Sequence, residues 1–117
     1  MPFIVSDDVD ASIDALRPFY ALYFGGMGAK AVNFHANVPI RMGYEREVRE
    51  IQDLYLGGNK DEAAAKVPRK LIEEMSLVGP PEKLREDLEK WRDSIVTTLL
   101  ITGDAATLNA AAEVVLG

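Results

Sequence analysis

The chain's single histidine, His35, lies in the run NFHAN and is the side chain best suited to moving a proton near neutral pH. Asparagines and a phenylalanine surround it, and nothing nearby completes a dyad, so a structural histidine at a helix packing site is the stronger reading. Arg41, in PIRMGYE, carries a planar guanidinium that can grip a carboxylate or phosphate with two parallel hydrogen bonds. Its alternative is a surface salt bridge to Glu45 or Glu47. The glycines of FGGMG have the look of a phosphate loop but lack a lysine followed by Ser or Thr and lack a preceding strand, so they read as a helix stop. With no cysteine and no second histidine, there is no ordinary zinc-ligand set.

Two further places are marked by their position, because parallel strands present ligands at their carboxyl ends. After the apolar run MSLV come Gly79, Pro80, Pro81 and Glu82; after IVTTLLIT come Thr102, Gly103 and Asp104. A helix start led by prolines has lost N–H donors, and a carboxylate at the start competes with any anion for those that remain. Both ends are therefore poor phosphate cradles.

These positions require a scaffold, and the last third supplies one in the order strand, helix, strand, helix over Met75–Leu116. Both strand candidates are short and apolar without alternation, the pattern of parallel strands covered on both faces. Pro81 suits a first helical position, Leu84, Leu88 and Trp91 form the buried stripe, and Glu86 with Lys90 is a favourable pair; Asp104 caps an alanine-rich last helix. Two strands make too small a sheet, so the rest is expected from a partner chain, from unrecognised strands or from sequence beyond these residues.

The part before it, residues 1–74, reads as short helices. Met1–Val5 is a brief apolar lead, either a remnant strand or a frayed end; Ser6, Asp7 and Asp8 then cap a helix whose stripe is Val9, Ile13, Leu16, Tyr20 and Tyr23. Pro18 predicts a kink or break near Arg17. A short helix is expected between Met27 and Pro39, a clearer one from about Tyr44 to Leu56 closed by Gly57 and Gly58, one capped by Asn59, and one led by Pro68. The whole 117 residues form a single partial domain of α/β class, helix-rich, with residues 75–117 as its βαβα end.

Composition narrows the partners. Thirteen basic residues against 19 acidic ones give a net charge of −6, a poor match for nucleic acid or an anionic membrane surface. No apolar run approaches the roughly 20 residues of a membrane helix, the start is acidic where a signal peptide is basic, and cysteine is absent; a cytoplasmic protein is expected.

The ordered series FGGMG, FHA, RMGYE, QDLYLGG, AAAKVP and LVGPPEKLR, followed by VTTLLI, closely resembles the carboxyl-terminal portion of bacterial luciferase-like monooxygenases, and within them the group assigned to the deazaflavin cofactor F420. The resemblance runs from about Asp7 to Ile101. It implies the last two units of a TIM (β/α)8 barrel that binds F420 or FMN at the carboxyl face of its strands, so the chain reads as an incomplete barrel. It also implies a rim role for Gly79, Pro80, Thr102 and Gly103, with His35 and Arg41 in matching motifs but without a transferable role. Most of the family's cofactor contacts come from earlier strands, so the chain alone is expected to bind no cofactor and to show no turnover. A homo-oligomer, or association with the missing amino-terminal half of the barrel, is expected to cover its apolar edges. The alternative is a non-catalytic helical interaction or assembly module derived from that family. DSIVTT departs from the small residue and glycine that relatives carry before the strand, which implies a different turn there.

Overall fold

A computed structural model describes residues 1–117 as two compact units, one formed by Met1–Asp14 with Glu73–Gly117 and the other by Ala15–Ile72. In chain order the elements are β1 (Phe3–Val5), α1 (Val9–Ala21), α2 (Phe34–Pro39), α3 (Glu45–Leu56), α4 (Lys60–Ala65), α5 (Arg69–Met75), β2 (Leu77–Gly79), α6 (Pro81–Arg92) and α7 (Ala105–Leu116). Widened π-helical turns at Leu22–Gly26 and Ile40–Tyr44 continue α1 and α2, and a 3-10 turn covers Lys30–Val32.

In the first unit the sheet is a parallel pair, Phe3 opposite Leu77, Ile4 opposite Val78 and Val5 opposite Gly79. Met1–Val5 is therefore a strand and not a frayed end. Backbone bonds from Leu77 N to Pro2 O and from Ser6 N to Gly79 O, both 3.0 Å, extend the ladder by one residue at each end. α6 packs on β2, α7 on β1 and α6, and the core is Phe3, Leu77, Leu84, Leu88, Ala111 and Val114. At full burial a leucine or phenylalanine contributes about 1.5 to 3 kcal/mol, so these six side chains, and not two three-residue strands, hold the unit together.

The strand expected over Ile95–Thr102 is not formed: the segment pairs with neither β1 nor β2, and Ile95 and Leu100 stand in solvent. The Met1 ammonium donates a 2.9 Å bond to the Leu100 carbonyl and ties the segment to the amino terminus. The chain is redirected at Ser94, whose hydroxyl donates to Trp91 O at 2.7 Å and accepts from Val96 N at 3.1 Å, closing α6. The other strand, expected over MSLV, lies further along the chain: Met75 ends α5 and β2 runs Leu77–Gly79. Asp87, not Glu86, is the carboxylate that Lys90 faces, at 3.6 Å.

In the helical unit α3 is the central element, burying Val48, Ile51 and Gln52 and packing on the Leu22–Gly26 turn and on α4. Pro18 does not break α1, which runs through it, because a single missing donor inside a helix held by Ile13 and Tyr20 costs less than unwinding their buried face. Gly25 and Gly26 do end the helical run, but neither has positive φ; they are small because Tyr55 of α3 lies against them. Gly58, at φ +88°, is the left-handed residue that closes α3. Asn59 occupies the start of α4 without a side-chain capping bond, and Pro68 O accepts from Ile72 N at 3.2 Å in the first turn of α5. Asn33 caps α2, and its side chain also donates to Phe24 O. Gln52 accepts from Arg49 Nη1 at 3.1 Å while its buried Nε2 has no partner.

Candidate functional site

The carboxyl ends of β1 and β2 lie side by side, because the strands are parallel, and they form the candidate rim. Gly79 and Pro80 are on it, and Ser6, which joins Gly79 O through its own N–H, is a rim residue that the short lead MPFIV gave little cause to place there. The β1 side is closed by its own groups: Ser6 Oγ accepts from Asp8 N at 3.1 Å, and Asp8 Oδ1 accepts from Ala11 N at 3.0 Å, capping α1. A carboxylate thus already occupies the helix start where an anion would sit.

On the β2 side, Pro80 and Pro81 lead into α6 without a side-chain cap. Gly79 has φ +141°, a region L side chains rarely enter, and a Cβ placed on it would lie 2.7 Å from Lys83 Cδ. The lysine stem fills the space that glycine leaves. Its Nζ donates to Val78 O at 2.9 Å and to Asp87 Oδ2 at 2.6 Å, so the one cation at this end is spent on a strand carbonyl and a neighbouring carboxylate.

Thr102 and Gly103 are exposed and lie in the coil before α7, not at a strand end. Asp104 Oδ1 accepts from Thr107 N at 2.8 Å, and a Cβ on Gly103 would meet Thr107 Cγ2 at 2.6 Å. The Thr107 backbone N–H, then its hydroxyl, hold the Asp104 carboxyl below its ordinary range. A carboxyl depressed by folding stabilises the fold above its unfolded value and loses that contribution as pH falls through the folded one. Asp104→Ala is therefore expected to lower the helical circular dichroism and thermal midpoint at pH 7, with the difference from wild type vanishing as acid protonates Asp104, below about pH 4. A difference that persists at pH 2 rules out the cap as its source.

His35 and Arg41 belong to the helical unit. His35 is exposed on α2, its ring edge against Tyr23 with centroids 4.9 Å apart. Arg41 is exposed in the Ile40–Tyr44 turn, and the salt bridge expected with Glu45 or Glu47 is not made; Glu45 faces Arg49 at 3.8 Å. No group of three or more histidines, cysteines or carboxylates is placed to hold a metal ion, and no helix is long and apolar enough to cross a membrane. An apolar groove of about 240 Å³ between α6, α7 and the extended segment is lined by Leu88, Trp91, Leu99, Ile101 and Val115. Arg92, its cation, is engaged by Glu89 and by Val115 O at 3.4 Å, and the volume falls short of the roughly 300 Å³ at which ligand pockets begin.

The helix-rich chain with its small parallel strand pair is of the α/β class. The sequence profile of the luciferase-like monooxygenases matches residues 1–98, and the chain belongs to that family. It is 40% identical over 103 residues to a Mycobacterium tuberculosis protein named "Putative coenzyme F420-dependent oxidoreductase Rv3520c". Those residues are 88% of this chain and 30% of the relative, so the chain spans under a third of the relative's length. No solved structure matches.

Proposed function

We propose that the chain is the carboxyl-terminal part of a luciferase-like oxidoreductase that uses F420 or FMN, and that in the complete architecture it closes the barrel and forms part of its rim without holding the cofactor's phosphate. The cofactor's chemistry there is hydride transfer or oxygen activation. What supports the reading is the match to under a third of the relative, together with helix starts whose donors are already taken. The residues present do not fit a phosphorylated group: Asp8 and Asp104 cap α1 and α7, Pro81 has no N–H to give α6, and Lys83 is engaged. Ile95–Thr102 would take up strand geometry when neighbouring strands bury its apolar side chains. Gly79 and Pro80, with Thr102 and Gly103 drawn beside them, would then line the rim.

Titration of oxidised F420 and of FMN into the chain alone, followed by fluorescence, is expected to show no binding tighter than about 10 μM, near −7 kcal/mol. Co-expression with the unmatched remainder of the relative is expected to restore binding of one of them. Tight binding by the chain alone overturns the assignment of the phosphate contacts to other strands. Failure of the remainder to restore binding favours the second reading, a non-catalytic helical interaction module, which the exposed apolar face of α2 supports.

A further inference from the structure

Lys83 closes the outward edge of the strand pair. Backbone hydrogen-bonding groups alternate along a strand, so successive residues of β2 face opposite sides. Leu77 and Gly79 face β1: Leu77 N donates to Pro2 O and Gly79 O accepts from Ser6 N, both at 3.0 Å. Val78, between them, turns its carbonyl to the other side, where the two-stranded sheet ends. Lys83 Nζ donates to that carbonyl at 2.9 Å.

The lysine is held there from two directions. Gly79 makes room for its stem, since a Cβ at that position would lie 2.7 Å from Lys83 Cδ. Asp87, one turn along α6, accepts from the same ammonium at 2.6 Å, and the lysine side chain is mostly covered. A lysine so placed blocks strand addition, because it takes an acceptor that a neighbouring strand's N–H must use.

The strand it excludes belongs to this chain. α6 ends at Arg92 and Ile95–Thr102 follows within three residues, so the crossover returns that segment parallel to β2. Leu99 and Ile101 already pack against the core of the unit, while Ile95 and Leu100 remain exposed. Tethered through α6, the segment meets the edge at an effective concentration on the order of millimolar, above that of a second chain in dilute solution. It is held elsewhere instead, with Leu100 O accepting from the Met1 ammonium.

We propose that Lys83 is a latch on the open edge of β2, and that Ile95–Thr102 enters the sheet only when the ammonium leaves Val78 O. The proposal rests on the reading of Ile95–Thr102 as a strand given above, and no cofactor takes part in it.

Amide hydrogen exchange of the whole chain, resolved by nuclear magnetic resonance, tests the latch. In wild type the Ile95–Thr102 amides are expected to exchange as exposed coil, while the Lys83 ammonium protons exchange more slowly than those of exposed lysines. Lys83→Met keeps the stem against Gly79 and removes the donor; it is expected to slow exchange at alternate residues of Ile95–Thr102 by at least about tenfold, since one side of the new strand faces β2. Asp87→Asn, which removes one of the ammonium's two partners, is expected to give a smaller slowing in the same pattern, and it decides the matter if Lys83→Met loses its helical circular dichroism. Segment amides already protected in wild type, a Lys83 ammonium that exchanges as fast as the exposed ones, or exchange unchanged in the folded variants each overturns the proposal. So does slowing that grows between roughly 20 and 500 μM protein, which would mean that another copy takes the edge. The cofactor titration is judged separately, because none of these readouts involves F420 or FMN.

Discussion

Asn33→Ala is expected to lower the unfolding free energy of the helical unit by about 2 to 4 kcal/mol. Asn33 is 2% exposed and works in two directions: its Nδ2 donates to Phe24 O at 2.9 Å, and its Oδ1 accepts from Ala36 N at 3.2 Å. Alanine removes the cap of α2, about 1 kcal/mol, and strands a carbonyl that water reaches poorly, a further 1 to 3 kcal/mol. Asn33→Ser separates the two contributions, because a hydroxyl can still cap Ala36 but is too short to reach Phe24. Urea titration followed by circular dichroism should rank wild type above serine above alanine. Serine as damaging as alanine would mean that the bond to Phe24 O, not the cap, carries the effect.

Gly25→Ala is expected to destabilise by about 1 to 2 kcal/mol although alanine is the better helix former. In an open helix the change gains up to about 1 kcal/mol. Here the new Cβ would lie 2.7 Å from Tyr55 Cβ and 3.1 Å from Ile51 O. Neither atom is at the end of a flexible side chain, so the two helices must separate, and overpacking of that kind costs about 1 to 3 kcal/mol. The clash wins over the propensity. A thermal midpoint equal to or above wild type for Gly25→Ala would show that α3 shifts away from the turn without penalty.

The helices were legible where a stripe, a cap and a stop agreed. α3 is expected from Tyr44 and begins at Glu45, α6 begins at Pro81, and Asp104 caps α7 through its side chain. The same agreement failed at FGG, since a glycine chosen for close approach and one chosen for positive φ are spelled alike, and Tyr55, which distinguishes them, lies a helix away. Strands were less legible because a strand is defined by its neighbour. MPFIV has one, in β2, and becomes β1; IVTTLLI has a stronger apolar and β-branched pattern but pairs with neither β1 nor β2 and stays coil. Of the candidate site, Gly79 and Pro80 were placed by position after a strand, while the engagement of Lys83 by Val78 O depends on a side-chain path that spacing does not encode. Arg41 was expected to find a carboxylate in Glu45 or Glu47, four or six residues along, but Gly43, at φ +99° in the intervening turn, breaks the helical path on which that spacing rests.

The strand pair joins Phe3 to Leu77, with the helical unit Ala15–Ile72 lying between them in the chain. During synthesis β1 emerges long before its partner exists, and it cannot be paired until residue 79 has left the ribosome. Every helix from α2 to α4 has by then had time to form from contacts local in sequence, whereas the sheet must wait for a long loop to close. Topologically the helical unit is an insertion within a strand pair, and the order of assembly is written into the connectivity: helices first, then the two strands brought together around what they enclose in sequence.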